Sequence, residues 1–332
     1  MRRALALAAV AAVLGCAAVG GALGWSLRRP SDATTEVVFE VPRGTTLGAV
    51  ARNLEREGLI RSALGFRVLA RVTGRSNGLR AGEYALSPSL AADQVLDRLT
   101  RGAVLTHRVA LPEGLTMHEI AARFEEAGLV SADEFVAVAS DPTLPVLLGV
   151  DGTNLEGYLF PETYELARGL AAREIVRLMV EQFQQVWRRI EPLAAEKALN
   201  MRDVVVLASL VEKETGAPGE RPLVAAVFHN RLRRGMRLET DPSVIYGIPD
   251  FDGNLRRVHL EDESNPYNTY RIAGLPPGPI ANPGEAALRA VVQPAESDYL
   301  FFVARKDGTH QFSRTYREHV NAVNRYQLRG GR

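Results

Sequence analysis

The chain has 332 residues, enough for more than one domain with an ordinary buried core. Lysine plus arginine number 40 against 39 aspartate plus glutamate, which excludes the strongly basic field that non-specific nucleic-acid binding needs. A single cysteine, Cys16, excludes an intramolecular disulfide and a cysteine-rich metal site.

Residues 4–25 carry no charge. As a helix they would extend about 33 Å, matching a hydrocarbon core of roughly 30 Å, so residues 1–30 are predicted to form a short cytoplasmic tip and a transmembrane anchor. Trp25 suits the membrane interface, while Arg2 and Arg3 before the run and Arg28 and Arg29 after it leave the positive-inside rule undecided. A cleaved signal peptide competes with this reading, but the run is longer than an h-region and no clean small-x-small site precedes Ser31. A lipoprotein signal ending at Cys16 also competes. Against it stand Leu14 before Gly15 and the eight apolar or small residues after Cys16, which favour a cysteine inside the helix.

A polar linker, residues 31–35, leads to a strand-like run at 36–41 and then to an internal repeat. Residues 41–47 (VPRGTTL) with the helical pattern that follows recur at 111–117 (LPEGLTM), and Pro42/Pro112, Gly44/Gly114, Thr46/Thr116, Ala51/Ala121, Glu55/Glu125, Gly58/Gly128 and Leu59/Leu129 match without a gap. Each copy reads as a strand, a turn, a threonine-capped helix and a glycine stop. The apolar positions Leu47, Val50, Ala51 and Leu54, or Met117, Ile120, Ala121 and Phe124, supply one buried face. These units are α+β packing modules, and their threonine turns also resemble the LysM modules that bind N-acetylglucosamine-containing glycans. Between the copies a strand is expected at 81–86 and a helix at 89–101. Asp141, Pro142 and the run 151–154 place the main boundary near 145–153.

The second half changes character. Helices are predicted over 171–199, with a break at Pro192, over 200–215 and over 221–234, followed by loops crowded with Pro, Gly, Asn and Tyr. The helix from Asn200 has an N-cap residue and Asp203 in its first turn, and Gly216 marks its end. At 100° per residue Glu214 lies over Leu207, Leu210 and Val211, whereas Glu212 points to the other side. A carboxyl at the end of the bulkier aliphatic stripe is the better placed to lose water, rise in pKa and donate a proton, which selects Glu214; a solvated helix end is the competing reading. Asp241 stands on a loop able to reach a cleft or to cap a helix before Val244. Residues 265–270 bring amides and aromatic faces of the kind sugars bind. His229, His259, His310 and His319 lack metal spacing, and no nucleotide loop or G-x-S-x-G elbow is present, so no metal or cofactor is expected.

Six ordered motifs, residues 155–164 (LEGYLFPETY), 208–215 (ASLVEKET), 227–232 (VFHNRL), 236–247 (MRLETDPSVIYG), 267–270 (YNTY) and 274–280 (GLPPGPI), resemble the endolytic murein transglycosylase (YceG-like) family. Glu162 departs from the aspartate common there. The resemblance spans the chain and implies an α+β protein with a transmembrane helix at 1–30, a LysM-like domain at 31–148 and a catalytic domain at 149–332. It also implies a lytic transglycosylase that cleaves the MurNAc–GlcNAc β-1,4 bond of nascent strands, leaves 1,6-anhydroMurNAc ends and terminates elongation. The second glutamate of the Glu-Lys-Glu-Thr run, Glu214, would be its catalytic acid and base. Glu156, Tyr158, Asn230, Arg231, Thr240, Asp241, Tyr246, Asn268 and Tyr270 on these motifs are the candidate substrate contacts. Peptidoglycan strands, peptidoglycan synthases and the bacterial cytoplasmic membrane would be the partners, with the catalytic domain outside. A water-using hydrolase, with Asp241 or Glu239 as second carboxylate, and a non-catalytic glycan-binding scaffold are the alternatives.

Overall fold

The computed structural model describes residues 14–15 and 17–328. The α+β class holds, but the expected transmembrane helix does not: among the described residues no helix is long and apolar enough to cross a membrane. Residues 4–13 and Cys16 of the predicted span lie outside the described residues. Of the described residues there, 14–15 and 17–26 are helical, and the helix ends in a turn at Leu27. Its last residues are engaged by protein. Ser26 is buried where a side chain on Gly65 would collide with it, and the Arg61 guanidinium lies 4.7 Å from the centre of the Trp25 ring.

The chain forms two compact units. The first, residues 1–108 and 165–170, contains β1 (Val37–Val41), α1 (Leu47–Arg56), α2 (Ala63–Val72), β2 (Gly82–Leu86) and α3 (Ala92–Arg101). β1 and β2 pair antiparallel with Phe39 opposite Tyr84. Phe39, Leu54, Phe66, Tyr84 and Leu96 fill the core, and the Tyr84 hydroxyl donates to the Arg80 carbonyl at 2.7 Å. β3 (Thr106–Ala110) pairs with β4 (Thr163–Ala167), and the division between the units runs through both strands.

The second unit holds α4 (Met117–Glu126), α5 (Ala132–Ala139), α6 (Leu144–Leu147), α7 (Ala172–Glu196), α8 (Met201–Glu214), α9 (Arg221–Arg233), α10 (Asp241–Tyr246), α11 (Arg257–Glu261), α12 (Glu285–Val292), β5 (Phe301–Ala304), β6 (His310–Ser313) and α13 (Tyr316–Val323). The two copies of the repeat fall in different units, and each extends further than the motif predicts, to a strand, a helix and a second helix. The matched residues explain why. Thr46 and Thr116 cap α1 and α4, and Gly44 and Gly114 adopt φ of +77° and +82°, a region costly for residues with a Cβ. Glu55 and Glu125 each accept a hydrogen bond from the start of the next helix, at Ala63 N and Ala132 N, both 3.1 Å.

α7 runs through Pro192 without the expected break. Proline removes one hydrogen bond, to the Arg188 carbonyl, and both residues lie on the exposed face of the helix, where solvent is at hand to replace it. α8 is the buried axis of this unit. Asn200 Oδ1 accepts from Asp203 N at 2.8 Å to start it, every residue from Val204 to Val211 is buried, and α9 and α12 pack against it. Thr215 turns to an extended conformation and ends the helix at Glu214.

Candidate active site

The last turn of α8 carries Glu212 and Glu214 into different surroundings. The Glu212 side chain is only 4% exposed, but its charge is answered: Arg221 lies 2.7 Å from Oε1, and Gly284 N donates to Oε2 at 3.0 Å. Arg221 also reaches Glu113 at 3.2 Å. This carboxylate is committed to holding α8, α9 and the start of α12 together.

Among the described residues Glu214 has no such ion pair. Removal from water raises its pKa to about 7, the Thr240 hydroxyl opposes the rise, the charge of Asp241 adds to it, and the Arg231 charge opposes it again. Its carboxyl is therefore held close to the point where it can give and take a proton near neutrality. The group opens on a cleft of about 370 Å³ lined also by Arg231, Asp241, Tyr270, His310 and His319.

The loop opposite is rigid. Glu239 adopts a φ of +50°, a strained conformation for a residue with a Cβ, and is held by Arg231 at 3.0 Å through its carboxylate and by the Thr269 carbonyl at 3.3 Å through its N–H. Arg231 also donates to the carbonyls of Leu300, Arg237 and Leu238 at 2.7, 3.0 and 2.9 Å, so a buried guanidinium fixes both the loop and the edge of β5. Thr240 N donates to Thr269 Oγ1 at 2.9 Å, and Ser243 Oγ meets the same hydroxyl at 2.9 Å. Thr240 Oγ1 itself is buried without a partner at full hydrogen-bond geometry, leaving it to act on Glu214 through its dipole. Tyr270 OH donates to Asp241 Oδ1 at 2.7 Å, and burial with that bond raises the phenol pKa.

Of the residues selected on the sequence, Glu214, Arg231, Asp241 and Tyr270 line one cleft, with Thr240 beside Glu214. The other five have their polar groups engaged within the protein. Glu156 is 1% exposed, and its carboxyl accepts from Met117 N at 3.0 and 3.1 Å, Asn282 Nδ2 at 2.8 Å and Tyr246 OH at 3.1 Å, with burial raising its pKa to about 7. Tyr158 is buried and bonds the Asp151 carbonyl. Asn230 Nδ2 donates to the carbonyls of Ser297 and Tyr299 at 2.9 and 2.8 Å, and Asn268 Nδ2 to those of His259, Leu260 and Asp262 at 3.2, 3.2 and 2.6 Å.

The sequence reading passed over the C-terminal wall. β5 and β6 pair antiparallel, Ala304 opposite His310, and with α13 they bring Phe301, Phe302, Tyr316, His310 and His319 to the cleft. His319 stacks on Phe301 at 5.2 Å, its Nδ1 is buried without a partner, and burial beside Arg231 lowers its pKa. The histidines were judged by metal spacing, which says nothing about a pairing such as His310 with Glu220, ninety residues apart.

Comparison with known proteins gives a consistent set. The YceG-like family model matches residues 39–325. An endolytic murein transglycosylase of Bacillus subtilis strain 168 is 32% identical over 328 residues, covering 93% of this chain and 91% of that protein. The endolytic murein transglycosylase of Streptococcus pneumoniae D39 is 28% identical, covering 88% of this chain and 60% of its own length. The crystal structure of a YceG-like protein from Listeria monocytogenes is similar with a TM-score of 0.60 at 29% identity, covering 87% of this chain and 99% of that one.

Proposed function

The chain belongs to the YceG-like family, and from that membership and the state of Glu214 we propose that it is a lytic transglycosylase that cuts peptidoglycan strands internally. The observation that carries the reading is a carboxyl group raised to about 7 by burial and opening on a long cleft wall of aromatic and polar side chains. Such a group is protonated often enough at neutral pH to act as an acid, and its conjugate base is strong enough to act afterwards.

The bond cut is the β-1,4 link from MurNAc to GlcNAc. Glu214 gives its proton to the glycosidic oxygen as the bond from C1 breaks, and GlcNAc leaves as an alcohol. The resulting carboxylate removes the proton from the C6 hydroxyl of the same MurNAc while that oxygen bonds to C1. A 1,6-anhydro end forms, no water is consumed, and Glu214 finishes protonated as it began. One carboxyl therefore suffices, unlike the paired carboxyls of hydrolases that retain or invert configuration. Thr240 and Asp241 tune it, Tyr270 orients Asp241, and Arg231 holds the loop that carries them. Cleavage within nascent strands would end their growth, and the substrate places the catalytic unit outside the cytoplasm.

The test is product analysis. Purified protein with isolated glycan strands is expected to release anhydro-ended fragments, and Glu214→Gln to lower the rate by about 10²–10⁴-fold while keeping the fold. Reducing ends in place of anhydro ends would overturn the lyase chemistry. Full activity in Glu214→Gln would overturn the site.

A further inference from the structure

His310 opens β6 and lines the cleft that holds Glu214. Both oxygens of the Glu220 carboxyl are turned to it: Oε1 accepts from the His310 backbone N–H at 2.9 Å and Oε2 meets Nδ1 at 2.7 Å. Glu220 ends the short turn Pro218–Glu220 that follows α8, so the segment leaving Glu214 also aims this imidazole. A carboxylate only accepts hydrogen bonds, so Nδ1 donates to Glu220 and Nε2 is the ring nitrogen left to face the cleft. Phe302 stands edge-on to the ring at 5.5 Å and Phe312 lies at 6.4 Å, which fixes its plane.

Only 10% of the side chain is exposed, but Nε2 makes no hydrogen bond among the described residues and is not one of the buried atoms left unpartnered, so it is open to the cleft. His229 is a useful contrast, because its Nε2 meets the Val291 carbonyl at 2.8 Å and is used up in the structure. The ring is oriented before anything enters the cleft, so a hydroxyl that meets Nε2 has little ordering left to do. A glycan strand is a row of hydroxyl donors. We propose that His310, aimed by Glu220, is a glycan-contacting residue of the Glu214 cleft, with Nε2 hydrogen-bonded to a sugar hydroxyl. This rests on the reading of the cleft as a peptidoglycan site and adds a specificity contact on the wall across from the Thr240–Asp241 loop.

The test separates contact from scaffold. Asparagine at this position would place an amide nitrogen where Nδ1 stands, keeping the bond to Glu220, and would leave nothing where Nε2 stands. Binding of intact, peptide-free glycan strands is measured with E214Q, E214Q/H310N and E214Q/H310Q, the first substitution preventing turnover, alongside the thermal midpoint of each. E214Q/H310N is expected to bind about 5–10-fold more weakly at an unchanged midpoint, the loss of one hydrogen bond. E214Q/H310Q, whose amide reaches the position of Nε2, is expected to recover part of that affinity. In the active enzyme H310N is expected to raise KM by the same factor while kcat stays within about twofold. Unchanged affinity in E214Q/H310N overturns the proposal, as does a loss that only accompanies a lowered midpoint. An E214Q protein that binds no strands overturns the glycan reading itself, and a normally active E214Q overturns the assignment of Glu214 while leaving the binding comparison to decide on His310.

Discussion

Glu212 and Glu214 are two residues apart, both withdrawn from water, and differ in the charges beside them. Glu212 is balanced by Arg221 and the Gly284 amide, whereas Glu214 faces Asp241, whose charge pushes the same way as desolvation. In the proposed mechanism the acid form of Glu214 starts the reaction, so kcat/KM is expected to fall as pH rises through about 7. Replacing Asp241 by Asn removes a negative charge that disfavours ionisation, so Glu214 gives up its proton more readily and the alkaline limb moves to lower pH. A pH–rate profile of Asp241→Asn that is unmoved or displaced upward would contradict this origin of the shift. The residue that stands in the cleft was reachable from helix geometry, which sets Glu214 and Glu212 on different faces of α8. The structure buries both, and what differs is the counter-charge, supplied to Glu212 by a residue of the next helix that no periodicity could associate with it.

At the level of elements, the carboxylate of Glu212 joins three helices, since it meets Arg221 at the start of α9 and the Gly284 amide that begins α12. Glu212→Gln leaves a nearly buried guanidinium with Glu113 alone. A loss of about 3 kcal/mol is expected, the low end of the range for breaking a buried pair. For a unit of this size that is a fall of roughly 6–12 °C in the thermal midpoint, with cleavage retained at low temperature. A midpoint unchanged within error would show that the pair contributes nothing. Elements were legible where their signals are local. Asn200 caps α8 as its side chain dictates, and the threonines and glycines of the repeat mark both copies. Pro192 was a misleading signal, because a proline breaks a helix only when the orphaned carbonyl finds no other partner, and here it faces solvent. The second helix of each repeat was missed because its N-terminal support, the Glu55 or Glu125 carboxyl, comes from the helix before it.

On the scale of the whole molecule, the chain passes between its two units more than once, and residues 165–170 belong with the first while their neighbours in sequence belong with the second. Within the first unit Arg168 bonds Glu83 Oε1 at 3.1 Å, and His107 meets Oε2 of the same carboxyl at 2.9 Å. A fragment comprising residues 109–332 lacks Glu83, so brief trypsin treatment is expected to cut after Arg168 at least several-fold faster than in the full chain. Equal rates would show that this segment is not held by the first unit. Of the predicted transmembrane span, the described end at Trp25 and Ser26 meets Arg61 and packs on Gly65, and among the described residues no helix is long and apolar enough to cross a membrane. Least legible was the wall formed by β5, β6 and α13, whose partners lie ninety or more residues upstream in α8 and the turn after it. That separation has a consequence for biosynthesis. The ribosome emits Glu214 well before residues 301–323, so on the proposed function a chain ended before them is expected to carry the acid without a finished cleft, and to cut no strands.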